Sequence, residues 1–261
     1  MKLENSLLSS IRNLDIQVKD VWVGLFWTAV ESRYVGMSHT YKTGQKIFIK
    51  DEGELSSFSA VQLAERILSW KPLEASIGMA ALNSLIKPEG EPSNIKDFII
   101  NNGRGKTISV IGRFPFNDEI SEIAGKSYFL EMDPEGDELP PQACEDVLPK
   151  SDIIVITATA LINHTLQRLL ELGKNGINIV LGPSTPMSPI LFDFGADILA
   201  GVKVIDKNAL LKSVTQGVKK FRLLKGIEPI CLYKNRLCSD NVWKYNPNTL
   251  LSQDFEYIPI V

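Results

Sequence analysis

The chain has 261 residues, 44% apolar and 23% charged, with a formal net charge of −3; this is the balance of an ordinary globular protein with one large or two modest cores. With no basic field, nucleic acid is not expected as a partner, and three scattered cysteines (Cys144, Cys231, Cys238) make no disulfide framework, so a reducing cytoplasm is the expected compartment. No run reaches the roughly 18 apolar residues that cross a bilayer, and the amino terminus, with Glu4 and no long apolar stretch, predicts neither anchor nor signal peptide.

Residues 6–14 predict a helix, and the stretch from Asp15 to Tyr41 predicts long strands around a turn near Glu31–Arg33. Helical patterns follow at 59–70 and 72–86, so the first hundred residues read as a small α+β unit. The passage 87–97, with Pro88, Gly90 and Pro92, leads to a second unit. The expected domains are 1–100 and 101–261, with the boundary somewhere in 88–104.

From residue 105 the grammar changes. Runs rich in β-branched residues at 105–112, 126–132, 152–159, 177–182 and 196–204 predict strands. The third and fourth are apolar throughout, as when helices cover both faces of a sheet. Helical patterns lie between them at 140–148, 163–176 and 188–195, and another follows at 206–217. In the third of these Ser188 is the expected N-cap, Pro189 the first helical residue and Gly195 the stop. Alternating strands and helices with right-handed crossovers predict an α/β fold, a Rossmann-like parallel sheet preceded by the smaller α+β domain. After a basic stretch at 218–226, residues 228–234 read as a last strand.

Ligands of an open α/β sheet sit beyond the carboxyl ends of its strands, which turns the prediction into a list of residues. Strand ends fall at Gly112 and Arg113, at Glu131, at Thr157 and Thr159, and at Gly182 with Ser184 and Thr185. In "GPSTPMS" (182–188) Gly182 permits close backbone approach, the hydroxyls offer hydrogen bonds, and the helix after Pro189 offers N–H groups to an anion. The plainer reading is a stiff turn whose hydroxyls cap a helix. Thr157 and Thr159 read equally as strand residues that satisfy their hydroxyls locally, Asn163 and His164 read as an N-cap and a surface residue, and Arg113 reads either as an anion ligand or as solvated. Glu131 stands where many Rossmann folds hold a ribose hydroxyl and is the best titratable candidate, but "GRFPFN" has one glycine where G-x-G-x-x-G has three. His39 and His164 are the only histidines, and Cys231-x6-Cys238 matches no zinc spacing.

The segments "AALN" (80–83), "IGRFPF" (111–116), "LPKSDIIVITATALINHTL" (148–166) and "LGPSTPMSPILFDFGADILAG" (181–201) resemble the putative heavy-metal chelation family, across almost the whole chain. The resemblance implies a first domain like the N-terminal cap of enolase, a Rossmann-like second domain, and a site in the cleft between them. It also gives a role to Asn83, which would look into that cleft from a helix whose small residues Gly78, Ala80 and Ala81 admit a close neighbour. Three functions are consistent with these residues. One is binding of a small anionic metabolite or metal-chelating ligand at Asn83, Gly112, Arg113, Glu131, Thr157, Thr159, Gly182, Ser184 and Thr185, as an enzyme of metal-related metabolism. The second is non-catalytic binding of a heavy-metal ion or metal chelate. The third is a nucleotide- or adenosylmethionine-binding enzyme. The expected partner is a small molecule, with no membrane, and a homo-oligomer is compatible with the sequence.

Overall fold

The computed structural model describes residues 2–14, 16–41 and 48–234. Helix α1 (Lys2–Ile11) buries Leu3, Leu7 and Ile11, one face at a spacing of four. Three antiparallel strands follow, β1 (Asp20–Val23), β2 (Trp27–Glu31) and β3 (Val35–His39). The turn near Glu31–Arg33 is where the sequence places it. A second turn at 24–26, closed by the Gly24 N–H donating to Trp27 O at 2.9 Å, divides the first predicted strand, and a Cβ on Gly24 would meet Val214 O at 2.6 Å.

The first predicted helix is a short α2 (Ala60–Ala64) running on as a 3-10 turn, opened by a capping box in which Ser59 and Gln62 exchange side-chain bonds. Helix α3 (Pro72–Leu85) lies across the sheet and is buried almost throughout. The small residues admit close neighbours: Gly36 of β3 rests on the α3 backbone at Ala80 and Ser84, and Gly78 rests on the backbone of Arg66 and Ile67.

The passage into the second unit already belongs to it. Strand β4 (Glu91–Pro92) pairs with the last strand β10 (Ile227–Tyr233), a register no local pattern reveals. Between them run α4 (Ile95–Gly103), β5 (Thr107–Ile111), α5 (Asn117–Ile123), β6 (Lys126–Leu130), α6 (Cys144–Val147), β7 (Ile153–Thr157), α7 (Leu166–Leu172), β8 (Ile177–Leu181), α8 (Ile190–Asp193), β9 (Ile198–Val204) and α9 (Lys207–Thr215). The seven-stranded sheet has the order β4-β10-β9-β8-β7-β5-β6. Strands β6, β5, β7, β8 and β9 are parallel, while β10 and β4 close the edge antiparallel. Strand order reverses between β5 and β7, and Gly112 and Thr157 follow or end those two strands.

One expectation is corrected here. Helix α8 has four residues, starts after Pro189 and has no side-chain cap, so Ser188 does not cap it. Ser188 is buried, and its carbonyl accepts the Leu191 N–H. So short a helix presents too small a dipole to hold an anion.

The two units share one core. A single hydrophobic cluster contains Leu7, Ile77 and Leu82 of the first and Ile154, Leu161 and Leu199 of the second. A second joins Trp27 and Met37 to Leu210, Val214 and Leu224. Among the described residues no helix is long and apolar enough to cross a membrane.

Candidate functional site

A groove follows the carboxyl ends of the parallel strands, bordered on its far side by the end of β3. Gly112, Arg113, Glu131, Thr157, Thr159, Gly182 and Ser184 all line it. Gly112 has φ +107, and a Cβ there would stand 3.0 Å from Thr157 Cβ, so both backbone and space require glycine. The Thr157 and Thr159 hydroxyls lie 2.9 Å apart, and Thr157 Oγ1 also accepts the Thr159 N–H.

The hydroxyls of the 182–188 loop hold the protein itself. Ser184 is 2% exposed and its Oγ accepts the His39 N–H at 2.8 Å; Thr185 is 4% exposed and its Oγ1 donates to Ala200 O at 3.1 Å. The expectation that both face an anion is therefore corrected: both hydroxyls are buried and bonded to the main chain of β3 and β9. The reason for Gly182 also changes. A Cβ there would meet nothing within 4 Å, and it is the φ of +132 that demands glycine.

Asn83 sits behind this loop and does not line the groove. Its Nδ2 donates to Met37 O and to Ser184 O, each at 3.0 Å, so it clasps the loop to β3. Among the described residues its buried Oδ1 has no partner, and a cavity of about 20 Å³ adjoins Asn83 with Thr185 and Met187, room for a single water.

Arg113 is committed as well. Nε and Nη2 fork onto Glu138 at 2.8 and 2.6 Å, Nη2 donates to Asp133 O, and Nη1 pairs with Glu135 at 3.3 Å. This holds the Glu138 carboxyl down at about 2, chiefly through the guanidinium bond and then the Glu135 N–H. Glu131 is half-buried, and its Oε2 accepts the Met132 N–H at 3.1 Å.

Three groove residues escape sequence reasoning. Tyr41 and His39 reach the groove from the end of β3, and Phe114 stacks on Phe116 beside Gly112. Burial, and then the negative charge of Glu131, push the Tyr41 phenol above its ordinary value. No local signal marks Tyr41, since only the docking of β3 on the second unit places it opposite Glu131. His164, expected at the surface, has a buried ring that touches Glu4 at 3.4 Å and Ser69 O at 3.0 Å and packs edge-on with Trp70. Asn163 accepts the Thr165 N–H in a turn before α7.

Charge in the groove is partly spent. Lys96 pairs with Glu119 and Arg168 with Glu145, as Arg113 does with Glu138. The basic stretch Lys219–Lys220–Arg222 borders another part of it.

Residues 94–228 match DUF364, a family described as "Putative heavy-metal chelation". The chain belongs to this family. Residues 5–86 match DUF4213, which carries the same description. A DUF364 protein of unknown function from Desulfitobacterium hafniense has a similar crystal structure, with 26% identity, TM-score 0.82, and coverage of 89% of this chain and 98% of that one. A second, from Pyrococcus horikoshii, shares the fold at 19% identity, TM-score 0.75 and the same coverage. An uncharacterised protein of Methanocaldococcus jannaschii is 28% identical over 157 residues, which are 55% of this chain and 60% of that protein.

The described residues do not make a heavy-metal site. Among the described residues no three His, Cys, Asp or Glu side chains gather where they could hold an ion. Cys144 and Cys231 are buried, and burial pushes both thiols up to about 11, away from the thiolate that binds soft metals. Cys238 lies outside the described residues.

Proposed function

We propose that this protein binds a small organic metabolite bearing an anionic or metal-chelating group, in the groove between its two units, and that a heavy metal reaches it only as a chelate. One observation carries the reading. Gly112 and the Thr157–Thr159 pair lie where strand order reverses, the usual ligand position of such sheets, and Glu131 lines the same groove from the neighbouring tip of β6. Thr157 and Thr159 supply hydroxyls, Glu131 supplies an acceptor, and the Lys219–Arg222 stretch supplies the positive charge for an anionic group. Glu131 is the carboxylate at the strand tip beside Gly112, and the reading assigns it binding. The meander β1–β2–β3 with helices packed on it supports the resemblance of the first unit to the enolase N-terminal cap, as architecture without enolase chemistry.

The test is a thermal-shift and titration screen of di- and tricarboxylates, sugar phosphates, bare Zn²⁺ and Ni²⁺, and the citrate complexes of those ions. An organic anion or chelate at 100 times its dissociation constant should add about 2.7 kcal/mol. Saturable binding of bare ions with no response to any organic compound would refute the reading.

A further inference from the structure

Resting on that reading, we infer that the group held by Glu131 is the vicinal diol of a ribose, so that the ligand is built on a nucleoside whose anionic or chelating group lies elsewhere in the groove. Strand β6 lies beside β5 on the side away from β7. In dinucleotide-binding sheets of order 3-2-1-4-5-6, whose second strand lies beside the first as β6 lies beside β5 here, a carboxylate at the tip of the second strand, about twenty residues after the glycine at the tip of the first, reaches the hydroxyls of a ribose bound at the switch point. Glu131 and Gly112 hold those two places.

The tips are stitched together. Gly112 N–H donates to Leu130 O at 3.0 Å, and Glu131 N–H donates to Leu139 O at 3.0 Å, so the carboxylate projects from fixed main chain. Among the described residues its only hydrogen bond comes from Met132 N–H, and no cation stands within ion-pair distance of it. Arg113, whose charge feels that of Glu131, is turned away by Glu138 and Glu135. An ionised carboxylate has about four lone-pair positions, so two neighbouring hydroxyls can each donate to it.

The same rim offers a seat for a base. Met132 is 61% exposed, and the Phe114 ring comes within 3.6 Å of where a Gly112 Cβ would stand. A phosphate is disfavoured beside it. The β5–α5 loop lacks a glycine-rich cradle, and the first turn of α5 carries Asp118 and Glu119, whose charge repels an anion there. A nucleoside fits this tip where a dinucleotide does not.

The experiment is isothermal titration of the full chain with adenosine, guanosine, cytidine and uridine, then with the 2′-deoxy form of whichever binds. At least one ribonucleoside should bind, and its 2′-deoxy form should bind about tenfold more weakly or worse. Glu131→Gln should weaken the ribonucleoside more than the deoxy compound, so that the discrimination between them shrinks, with the circular dichroism spectrum unchanged. Equal affinity for the ribo and deoxy forms, or full discrimination retained in Glu131→Gln, overturns the inference. A carboxylate or metal–citrate complex that binds the groove while all four nucleosides fail also overturns it but leaves the broader reading intact. Failure of every compound overturns both.

Discussion

Replacing Asn83 tests the joint between the two units. Its amide nitrogen donates twice, to Met37 O of β3 and to Ser184 O of the groove loop, at 3.0 Å each. Each bond contributes about 0.5–1.5 kcal/mol net, and a buried carbonyl deprived of a donor adds to the loss. Against this, alanine removes the buried Oδ1 that has no partner, a desolvation cost the native protein bears. The balance for Asn83→Ala is a loss of about 1–3 kcal/mol, a fall in melting temperature of about 2–12 °C for a chain of this size. Asn83→Asp should be worse at neutral pH, because a carboxylate would face two carbonyl oxygens. The contacts would raise its folded pKa, so the extra penalty is absent below the unfolded value of about 3.9 and grows as pH rises above it. Denaturant titration gives the stabilities, and amide exchange at His39, whose N–H depends on Ser184 Oγ, reports the local effect. Asn83→Ala within 0.5 kcal/mol of the native protein, with His39 protection unchanged, would refute the clasp.

Thr185→Val should cost about 1 kcal/mol of folding through the lost bond to Ala200 O and leave ligand affinity unchanged; a change confined to affinity would return this hydroxyl to the site. Glu138 titrates near 2 in the folded chain against an ordinary 4.5, so the Arg113 fork stabilises fully above 4.5 and is lost as pH falls from there toward 2. A carboxyl NMR titration should show Glu138 returning toward 4.5 in Arg113→Ala, and no return would discount the fork. With thiols pushed up to about 11, Cys144 and Cys231 should resist alkylation at pH 8 until the chain unfolds, as peptide mass spectrometry can follow; rapid native labelling of either would contradict its burial.

The order of elements was legible in the chain because it rests on local chemistry. Runs such as "TISVI" and "IIVIT" can serve only as covered strands, Ser59 and Gln62 three residues apart open a helix, and Gly112 and Gly195 end elements at positive φ. The carboxyl edge of the sheet, and with it Gly112, Glu131 and Thr157, followed from that order alone. The fate of individual polar groups did not. Ser184, Thr185 and Asn83 are as suited to a ligand as to main-chain groups, and only the packing of β3 and β9 against the loop commits them to His39, Ala200 and Met37. Tyr41 comes under the charge of Glu131, and Glu91 pairs with Cys231, for the same reason. A hydrogen bond between residues a hundred positions apart leaves no trace in the spacing of either, so where the groove lies was written locally, and what remains available inside it was decided by tertiary packing.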